Sequence, residues 1–188
     1  MKTLTNLNLS GKTVLLRSDL NSDVVNGKVL MSERIRQSVE TIKELKRKNA
    51  KVVIIAHQGR PGKNDFVSLN QHSKFLNKFT KVKFVDDIIG KKAIAEIQNL
   101  KSGEALLLEN LRFLKDENEF NGKNNQLIKK LVPLADIYVN DAFSVCHRKQ
   151  TSIIGFPKYL KSYAGRLLEK EVETLKKIKL TTIFFIFV

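Results

Sequence analysis

The sequence has a single cysteine and no long apolar run, and each of these features excludes a class of protein. Cys146 is the only cysteine among 188 residues, so no disulfide can form within the chain, which suits a reducing cytoplasm. No apolar stretch approaches the roughly 20 residues that a membrane-spanning helix needs. The N-terminus lacks the basic-then-apolar order of a secretory signal. We therefore expect a cytoplasmic protein without a membrane partner.

Common motifs of nucleotide and metal sites are also missing. There is no GxGxxG motif after a strand and no GxxxxGK[ST] loop, so neither a dinucleotide fingerprint nor a phosphate loop of the Walker type is predicted. No spacing of cysteine and histidine indicates a zinc site. We expect no metal ion and no nucleotide to be bound by this chain.

The formal net charge of +15 is large and predicts anionic partners. Most of the 34 basic residues are lysines spread along helix-like segments such as TIKELKRKNAK, where a solvated helix face accounts for them. Aromatic residues are not interleaved with the basic runs, as a surface that stacks nucleic-acid bases would require. A nucleic acid is therefore an alternative partner rather than the first expectation.

Strand-like and helix-like stretches alternate along the chain, which is typical of an α/β protein with a parallel sheet. Ser32 can cap a helix with apolar residues at helical spacing, and Ser68 with Gln71 forms a capping-box pattern before another. We predict an open, doubly wound parallel sheet of the Rossmann-like kind, with three layers in the order α/β/α. The first strand is predicted within the run TVLLRSDLN at 13–21, and the others at 51–56, 82–85, 105–108 and 137–139.

Polar side chains follow the predicted strands at the point where each strand ends. The carboxyl ends of parallel strands share one edge of an open sheet, and ligands bind in the crevice outside that edge. Side chains that are far apart in the sequence would then meet at one site. The candidates are Asp19 and Asn21 after the first strand, His57, Gly59 and Arg60 after the second, Arg112 after the fourth, and Arg148 beyond the fifth, with Arg34 at a helix start near the first.

This set of residue types fits a small anion that carries hydroxyl groups. An arginine guanidinium donates two parallel hydrogen bonds to phosphate or carboxylate and never loses its charge. Gly59 lets the backbone approach a ligand closely, and Asp19 and Asn21 offer acceptors for hydroxyl groups. Taken singly, each arginine is more often part of a surface ion pair, and His57 alone is more often structural. The convergence of several clusters favours a phosphorylated hydroxy acid as the ligand.

Several motifs in register closely resemble phosphoglycerate kinase, and the resemblance runs along nearly the whole chain. The forms AHQGRPG and HRKQTSIIGF are most similar to the archaeal branch of that family. The matching stretches are LLRSDLN (15–21), ERIRQSVETIKEL (33–45), AHQGRPG (56–62), VKFVDDIIG (82–90), LLLENLRF (106–113), YVNDAFSVCHR (138–148) and SYAGRLLEKEVETL (162–175).

The resemblance implies a reaction and a division of labour between two domains. Members of the family transfer a phosphoryl group reversibly between 1,3-bisphosphoglycerate and ADP, giving 3-phosphoglycerate and ATP in glycolysis and gluconeogenesis. Their N-terminal domain binds 3-phosphoglycerate, their C-terminal domain binds Mg-ATP or Mg-ADP, and closure about a hinge brings the phosphates into line. By resemblance, residues 1–162 are the substrate domain and 163–179 the interdomain helix, and we expect a monomer.

The resemblance also assigns roles to individual residues. Arg34 would contact the substrate carboxylate and steady the transferring phosphoryl group, which makes it the one catalytic candidate. Asp19 and Asn21 would bind the hydroxyl and carboxylate side, and Arg17 would support Asp19 or extend the basic patch. The residues expected to bind the substrate phosphate, together with their neighbours in the AHQGRPG motif, are His57, Gln58, Gly59, Arg60, Arg112 and Arg148.

Three departures from the family pattern qualify this interpretation. The family's NVP or NSP is replaced by Asn21, Ser22 and Asp23, and its DAFG or DAFA becomes DAFS at Ser144. The apolar stretch 180–188 stands where the family's GGAKV motif would begin, so we expect it to be the first strand of a nucleotide domain that this sequence lacks. We therefore expect negligible kinase activity from the chain alone. The alternatives are a non-catalytic module for phosphoglycerate or another anion, and a basic nucleic-acid-binding protein.

Overall fold

Six parallel strands form the central sheet of the protein, in the order β5-β6-β4-β1-β7-β8. The computed structural model describes the backbone of residues 1–186 and the side chains of residues 1–177. A separate two-stranded hairpin, β2-β3, follows β1. The strands are β1 (Thr13–Ser18), β2 (Val24–Val25), β3 (Lys28–Val29), β4 (Lys51–Ile55), β5 (Lys83–Val85), β6 (Ala105–Leu108), β7 (Ile137–Asp141) and β8 (Lys161–Ala164).

Helices pack on both faces of this sheet, which confirms the predicted doubly wound α/β fold. The side chains of β1 alternate between the faces, as the two-residue period of a strand requires. Val14 and Leu16 pack in the core under α1 and α2, whereas Leu15 packs in the core under α3 and α5. The helices are α1 (Glu33–Arg47), α2 (Asn70–Leu76), α3 (Lys91–Asn99), α4 (Lys115–Asn118), α5 (Gln126–Leu131) and α6 (Arg166–Ile186).

The helix starts follow the sequence prediction at one position and depart from it at another. Ser32 caps α1, where its Oγ accepts from the Ile35 N–H at 3.4 Å. The N-cap position of α2 is Leu69 and not Ser68. The Ser68 hydroxyl accepts from the Asn70 N–H at 3.1 Å and donates to Glu109 Oε2 at 2.6 Å, while the Leu69 N–H donates to Glu109 Oε1 at 2.8 Å. Gln71 caps nothing either, since its side chain bonds the backbone of the β2-β3 hairpin. A tertiary contact has replaced the local capping box.

Strand β1 lies at the centre of the sheet, where the direction of chain winding reverses. It pairs with β4 on one side and with β7 on the other. The crossover through α1 leads to β4, and the later crossover from β6 returns to the opposite side of β1. A crevice forms outside the carboxyl ends of the strands at such a switch point. The fold thereby places the residues after β1, β4 and β7 around one opening.

The last helix is tied firmly to the sheet and to α1. The Asp141 Oδ1 atom at the end of β7 accepts from the N–H groups of Leu167 and Leu168 at 2.9 and 3.2 Å. The Arg166 guanidinium donates to both carboxylate oxygens of Glu44 in α1, at 2.6 and 2.8 Å. Helix α6 therefore begins at a fixed position beside the carboxyl edge of the sheet.

Helix α6 continues to Ile186, which corrects the strand that we expected from residue 180 onward. A helix satisfies its backbone hydrogen bonds within its own segment, whereas a strand needs a neighbouring strand. A helix that has already formed can therefore extend into an apolar stretch whose composition favours a strand. Residues 187 and 188 of that predicted strand lie outside the described residues. Within the part that the structure covers, no helix combines the length and apolarity needed to cross a membrane.

Candidate functional site

A cavity of about 640 Å³ opens at the carboxyl edge of the sheet, at the predicted place. It brings together residues that lie up to 127 positions apart, from Asn21 to Arg148. Lys63, Asn64 and Asp65 also line it, although the sequence analysis did not single them out. Seven of the predicted site residues line the cavity: Asn21, Arg34, His57, Gly59, Arg60, Arg112 and Arg148.

Arginine side chains give the cavity its positive charge. Arg112 is largely buried, and one of its Nη1 hydrogens is donated to the Gly59 carbonyl oxygen. Burial, followed by the nearby Arg148 and Arg17, lowers the pKa of Arg112 to about 10, so this side chain remains a cation at neutral pH. The Nε atom of Arg148 is buried without a hydrogen-bond partner among the described residues. An unpaired buried donor of this kind calls for an acceptor, which an anion in the cavity would supply.

Asp19 lies behind the cavity wall, between two residues that line it. It is 3% exposed, and its Oδ2 atom accepts from the Ser144 hydroxyl at 2.6 Å. Its Oδ1 atom is 3.7 Å from Arg34 Nη1, yet it has no hydrogen-bond partner among the described residues. Arg34 is about half exposed, so this ion pair can open toward a ligand. Asp19 therefore has one free oxygen at which a ligand hydroxyl could donate.

Asn21 uses its side-chain oxygen within the protein. Its Oδ1 atom accepts from the Gly59 N–H at 2.9 Å, which joins the segment after β1 to the segment after β4. The sequence analysis expected Asn21 to offer an acceptor for a ligand hydroxyl. That oxygen already accepts one hydrogen bond within the protein, and an amide oxygen can accept a second.

His57 is held by a hydrogen bond that determines which ring nitrogen carries the proton. The Arg17 Nη2 atom lies 2.6 Å from His57 Nδ1. Arginine can only donate, so Nδ1 is the acceptor and the neutral ring carries its proton on Nε2. Burial first, and then the charges of Arg17, Arg112 and Arg148, hold the pKa of His57 far below its ordinary value of 6.5. His57 is thus a neutral donor through Nε2.

Gln58 is buried behind the site and does not line the cavity. Its Oε1 atom accepts from the Ser22 N–H and its Nε2 atom donates to the Ser22 carbonyl, both at 2.9 Å. The side chain of Asn110 bonds the backbone of Gln58 in the same two-fold way, at 3.2 and 2.8 Å. Gln58 therefore fixes the loops after β1, β4 and β6 against each other. The structure gives it a positioning role, which its place in the AHQGRPG motif does not reveal.

The loop that carries Arg60 depends on a glycine. Gly59 has a positive φ of 66°, a conformation that residues with a Cβ rarely adopt. A methyl group at this position would overlap the Asp65 carbonyl oxygen. Asp65 also accepts from the Arg60 N–H through Oδ1 at 3.3 Å. The turn from Gly59 to Asp65 thus closes on itself and directs Arg60 outward at the cavity rim.

Acidic side chains are too scattered to form a metal site. Among the residues that the structure describes, no group of three or more histidine, cysteine, aspartate or glutamate side chains is arranged to hold a metal ion. The acids near the cavity instead pair with protein groups, as Asp19 does with Ser144. The described side chains around the cavity therefore do not offer a set of ligands that fits a Mg²⁺ ion.

Comparison with known proteins decides the family. A family model described as phosphoglycerate kinase matches residues 4–183. The chain belongs to the phosphoglycerate kinase family. The phosphoglycerate kinase of Sulfurisphaera tokodaii is 49% identical over 178 residues, which are 90% of this chain and 43% of that protein. The enzyme of Saccharolobus solfataricus is 46% identical, over 94% of this chain and 45% of that protein.

Solved structures of phosphoglycerate kinases share the fold of this chain. The crystal structure of the phosphoglycerate kinase from Pyrococcus horikoshii OT3 superposes with a TM-score of 0.90 at 39% identity, covering 94% of this chain and 45% of that one. The enzyme from Coxiella burnetii superposes with a TM-score of 0.79 at 38% identity. The chain therefore spans less than half the length of the phosphoglycerate kinases that it matches.

Proposed function

We propose that this chain binds 3-phosphoglycerate, or 1,3-bisphosphoglycerate, as the substrate-binding half of a phosphoglycerate kinase. The observation that carries the proposal is the convergence of Arg60, Arg112, Arg148 and neutral His57 on one cavity. Directly behind its wall, Asp19 Oδ1 has no hydrogen-bond partner among the described residues. Cationic donors at one side suit a phosphate, and an acceptor at the other side suits a hydroxyl group. A ligand that carries both is a phosphorylated hydroxy acid.

The arrangement also suggests how phosphoryl transfer would be served. Arg60, Arg112 and Arg148 would bind the phosphate that stays on the glycerate, because fork-shaped guanidinium groups match its oxygens. Arg34 lies at the half-exposed start of α1, where it would contact the carboxylate end from which the second phosphate leaves. Phosphoryl transfer depends mainly on positioning and on neutralising charge, which are the tasks that these cations perform.

We further propose that the nucleotide is held by a second domain beyond α6. Mg-ADP or Mg-ATP bound there would supply or accept the transferred phosphoryl group. The proposed substrate domain ends with β8 (Lys161–Ala164) rather than at residue 162, because that strand belongs to the central sheet. The interdomain helix is then α6 (Arg166–Ile186) rather than residues 163–179. The hydrogen bonds that attach the first turn of α6 to Asp141, at the carboxyl edge of the sheet, support this division. We also propose that the chain acts in the cytoplasm and as a monomer.

Calorimetric titration with 3-phosphoglycerate tests the substrate assignment. We expect saturable binding by the unaltered chain and a loss of at least about tenfold in affinity in Arg60→Ala, since removing one charged hydrogen-bond partner costs about 1.5–3 kcal/mol. Arg60 is exposed and forms no ion pair with any residue that the structure describes, so this variant should remain folded. Arg47→Ala is the matched control. It removes the same charge at the C-terminal end of α1, whereas the cavity lies at the N-terminal end of that helix.

The outcomes separate the proposal from its alternatives. Equal binding by both variants and the unaltered chain would contradict the site. A nucleic-acid-binding role, which the net charge of +15 favours, predicts equal losses in both variants and an affinity for duplex that falls steeply and log-linearly with salt. A compact arginine site should lose far less affinity over the same salt range. Binding of inorganic phosphate as tight as that of 3-phosphoglycerate would favour a general anion-binding module.

A further inference from the structure

A fully buried arginine stands directly behind the cavity and does not line it. Arg17, at the end of β1, is 0% exposed. Its guanidinium uses each nitrogen in a different direction. Nη1 donates to the Ser18 carbonyl oxygen at 2.5 Å, Nε donates to Ser152 Oγ at 3.0 Å, and Nη2 donates to His57 Nδ1 at 2.6 Å. A planar fork with three fixed partners cannot rotate without breaking at least one of them.

The charge of Arg17 is balanced through Ser152 rather than by direct contact with an acid. Ser152 Oγ donates to Glu117 Oε1 at 2.6 Å, and the Ser152 N–H donates to Glu117 Oε2 at 3.0 Å. Glu117 is itself 0% exposed. Burial raises the pKa of Glu117, and Arg17 together with the two Ser152 donors opposes that rise. An isolated buried guanidinium would be very costly, so this acid is the natural counter-charge.

Arg17 and Glu117 lie on opposite sides of one hydroxyl, and His57 is the only one of the four side chains that reaches the cavity. With Nδ1 occupied by Arg17, the ring is oriented and its proton is on Nε2. Among the described residues, no hydrogen bond to His57 Nε2 is present. The donor is therefore left for whatever enters the cavity.

We propose that Arg17, held in place by Ser152 and Glu117, is a positioning residue that fixes His57 in its Nε2–H tautomer as a donor to the bound ligand. Arg17 acts through His57 and does not touch the ligand itself. The part that concerns the ligand rests on the proposed function, whereas the part that concerns the tautomer does not. This chain of contacts explains why Arg17 is fully buried behind the cavity while Arg34, Arg60, Arg112 and Arg148 line it.

Nitrogen-15 NMR of the histidine rings in the ligand-free chain tests the tautomer. We expect the two ring nitrogens of His57 to give one protonated and one unprotonated signal at pH 7, with the proton on Nε2 and no change down to pH 5. The His57 signals are identified among those of the three histidines by their absence in His57→Gln. A proton on Nδ1, or an averaged pair of signals, would overturn the proposal in the unaltered chain alone.

The double variant Arg17→Met with Glu117→Gln tests whether Arg17 is the cause. It removes both buried charges together, which spares the fold better than removing one. We expect His57 to show a mixture of tautomers and to titrate closer to its ordinary pKa, with affinity for 3-phosphoglycerate reduced by about tenfold or more, the loss of one hydrogen bond from a well-placed donor to a charged acceptor. An unchanged His57 spectrum in the folded double variant would overturn the proposal.

A second variant covers the case in which the double variant fails to fold. Ser152→Ala leaves both charges in place but removes the hydroxyl between them. We expect the His57 signals to broaden or shift toward a mixture of tautomers. An unchanged spectrum would again contradict the role of the contacts through Ser152. If the tautomer is as expected and 3-phosphoglycerate does not bind, the substrate assignment fails while the positioning role stands.

Discussion

At the scale of single residues, the conformation of one loop is the most exacting requirement of the site. Gly59 has a positive φ of 66°, and a Cβ there would overlap the backbone at Asp65. Gly62, three residues later, has a positive φ of 77° with open space around it. We expect Gly62→Ala to cost about 1 kcal/mol, the usual strain of a side chain in this backbone region. Gly59→Ala adds a steric clash with backbone atoms that cannot move aside cheaply.

The paired variants therefore separate strain from clash. We expect Gly59→Ala to lower the free energy of unfolding by about 1–3 kcal/mol more than Gly62→Ala, which is the typical cost of a forced overlap in a packed region. It should also weaken 3-phosphoglycerate binding, because the loop places Arg60 and the Gly59 carbonyl that Arg112 contacts. Urea unfolding gives the first quantity and calorimetry the second. Equal losses in both variants would mean that the loop can shift to accept a methyl group.

Most of the predicted residues that line the cavity lie in the segments that follow strands, and Arg34, at the start of α1, is the exception. Arg60 and His57 come straight after a buried apolar run, and the shared edge of a parallel sheet brings them together. Gln58 belongs to the same motif but points into the protein, where its side-chain amide pairs with the backbone of Ser22. Glu117 was missed because it belongs to a polar run, and nothing in such a run distinguishes a buried acid from a solvated one.

At the scale of elements, the central strands could be predicted from their continuous apolar runs. A polar strand at the edge of the sheet could not. The strand β8, Lys161–Ala164, escaped prediction because its sequence KSYA has little apolar character. It is an edge strand that pairs with β7. On its other side, a single bridge joins Ala164 to Thr3 among the described residues, so that side needs no full strand partner. Helix α2 was predicted, but its expected cap was displaced by Glu109, a contact 41 residues away from Ser68. Local patterns cannot report such tertiary substitutions.

The junction of β7 and α6 carries a pH dependence of its own. Burial, opposed by hydrogen bonds that include the Leu167 and Leu168 N–H groups, raises the pKa of Asp141 from 3.8 to about 6. Between these values the folded chain holds a proton that the unfolded chain has already released. The contribution of Asp141 to stability is therefore full at low pH and is lost as pH rises from about 4 to 6, by about 1.4 kcal/mol per pH unit at most.

The variant Asp141→Asn isolates this contribution. Asparagine keeps an acceptor oxygen for the first turn of α6 and cannot ionise. We expect the stability of the unaltered chain, relative to Asp141→Asn, to fall between pH 4 and pH 6 and to level off above about 6. Histidines such as His57 and His72 titrate in both chains, so their effects cancel in the difference. A difference in unfolding free energy that is independent of pH would show that Asp141 keeps an ordinary pKa.

At the scale of the whole molecule, binding and catalysis should separate. The chain spans 43–45% of the length of the phosphoglycerate kinases that it matches, its sequence lacks a Walker-type loop, and its described acids form no metal site. Phosphoryl transfer needs both phosphate-bearing partners aligned and their charge neutralised. We therefore expect the chain to bind 3-phosphoglycerate but to form no ATP from 1,3-bisphosphoglycerate and Mg-ADP above the rate without protein.

Measuring the affinity for 3-phosphoglycerate with and without Mg-ADP is a stricter test of this expectation than an activity assay that detects no product. If the chain has no nucleotide site, saturating Mg-ADP must leave its affinity for 3-phosphoglycerate unchanged, because a ligand that does not bind cannot shift an equilibrium. The full-length Sulfurisphaera tokodaii enzyme serves as the positive control for the assay. ATP formation by the unaltered chain that is lost in Arg60→Ala would contradict the prediction. The loss would show that the activity comes from this site and not from a contaminant. A shift in affinity without turnover would instead place a nucleotide site on the chain and leave only its alignment incomplete.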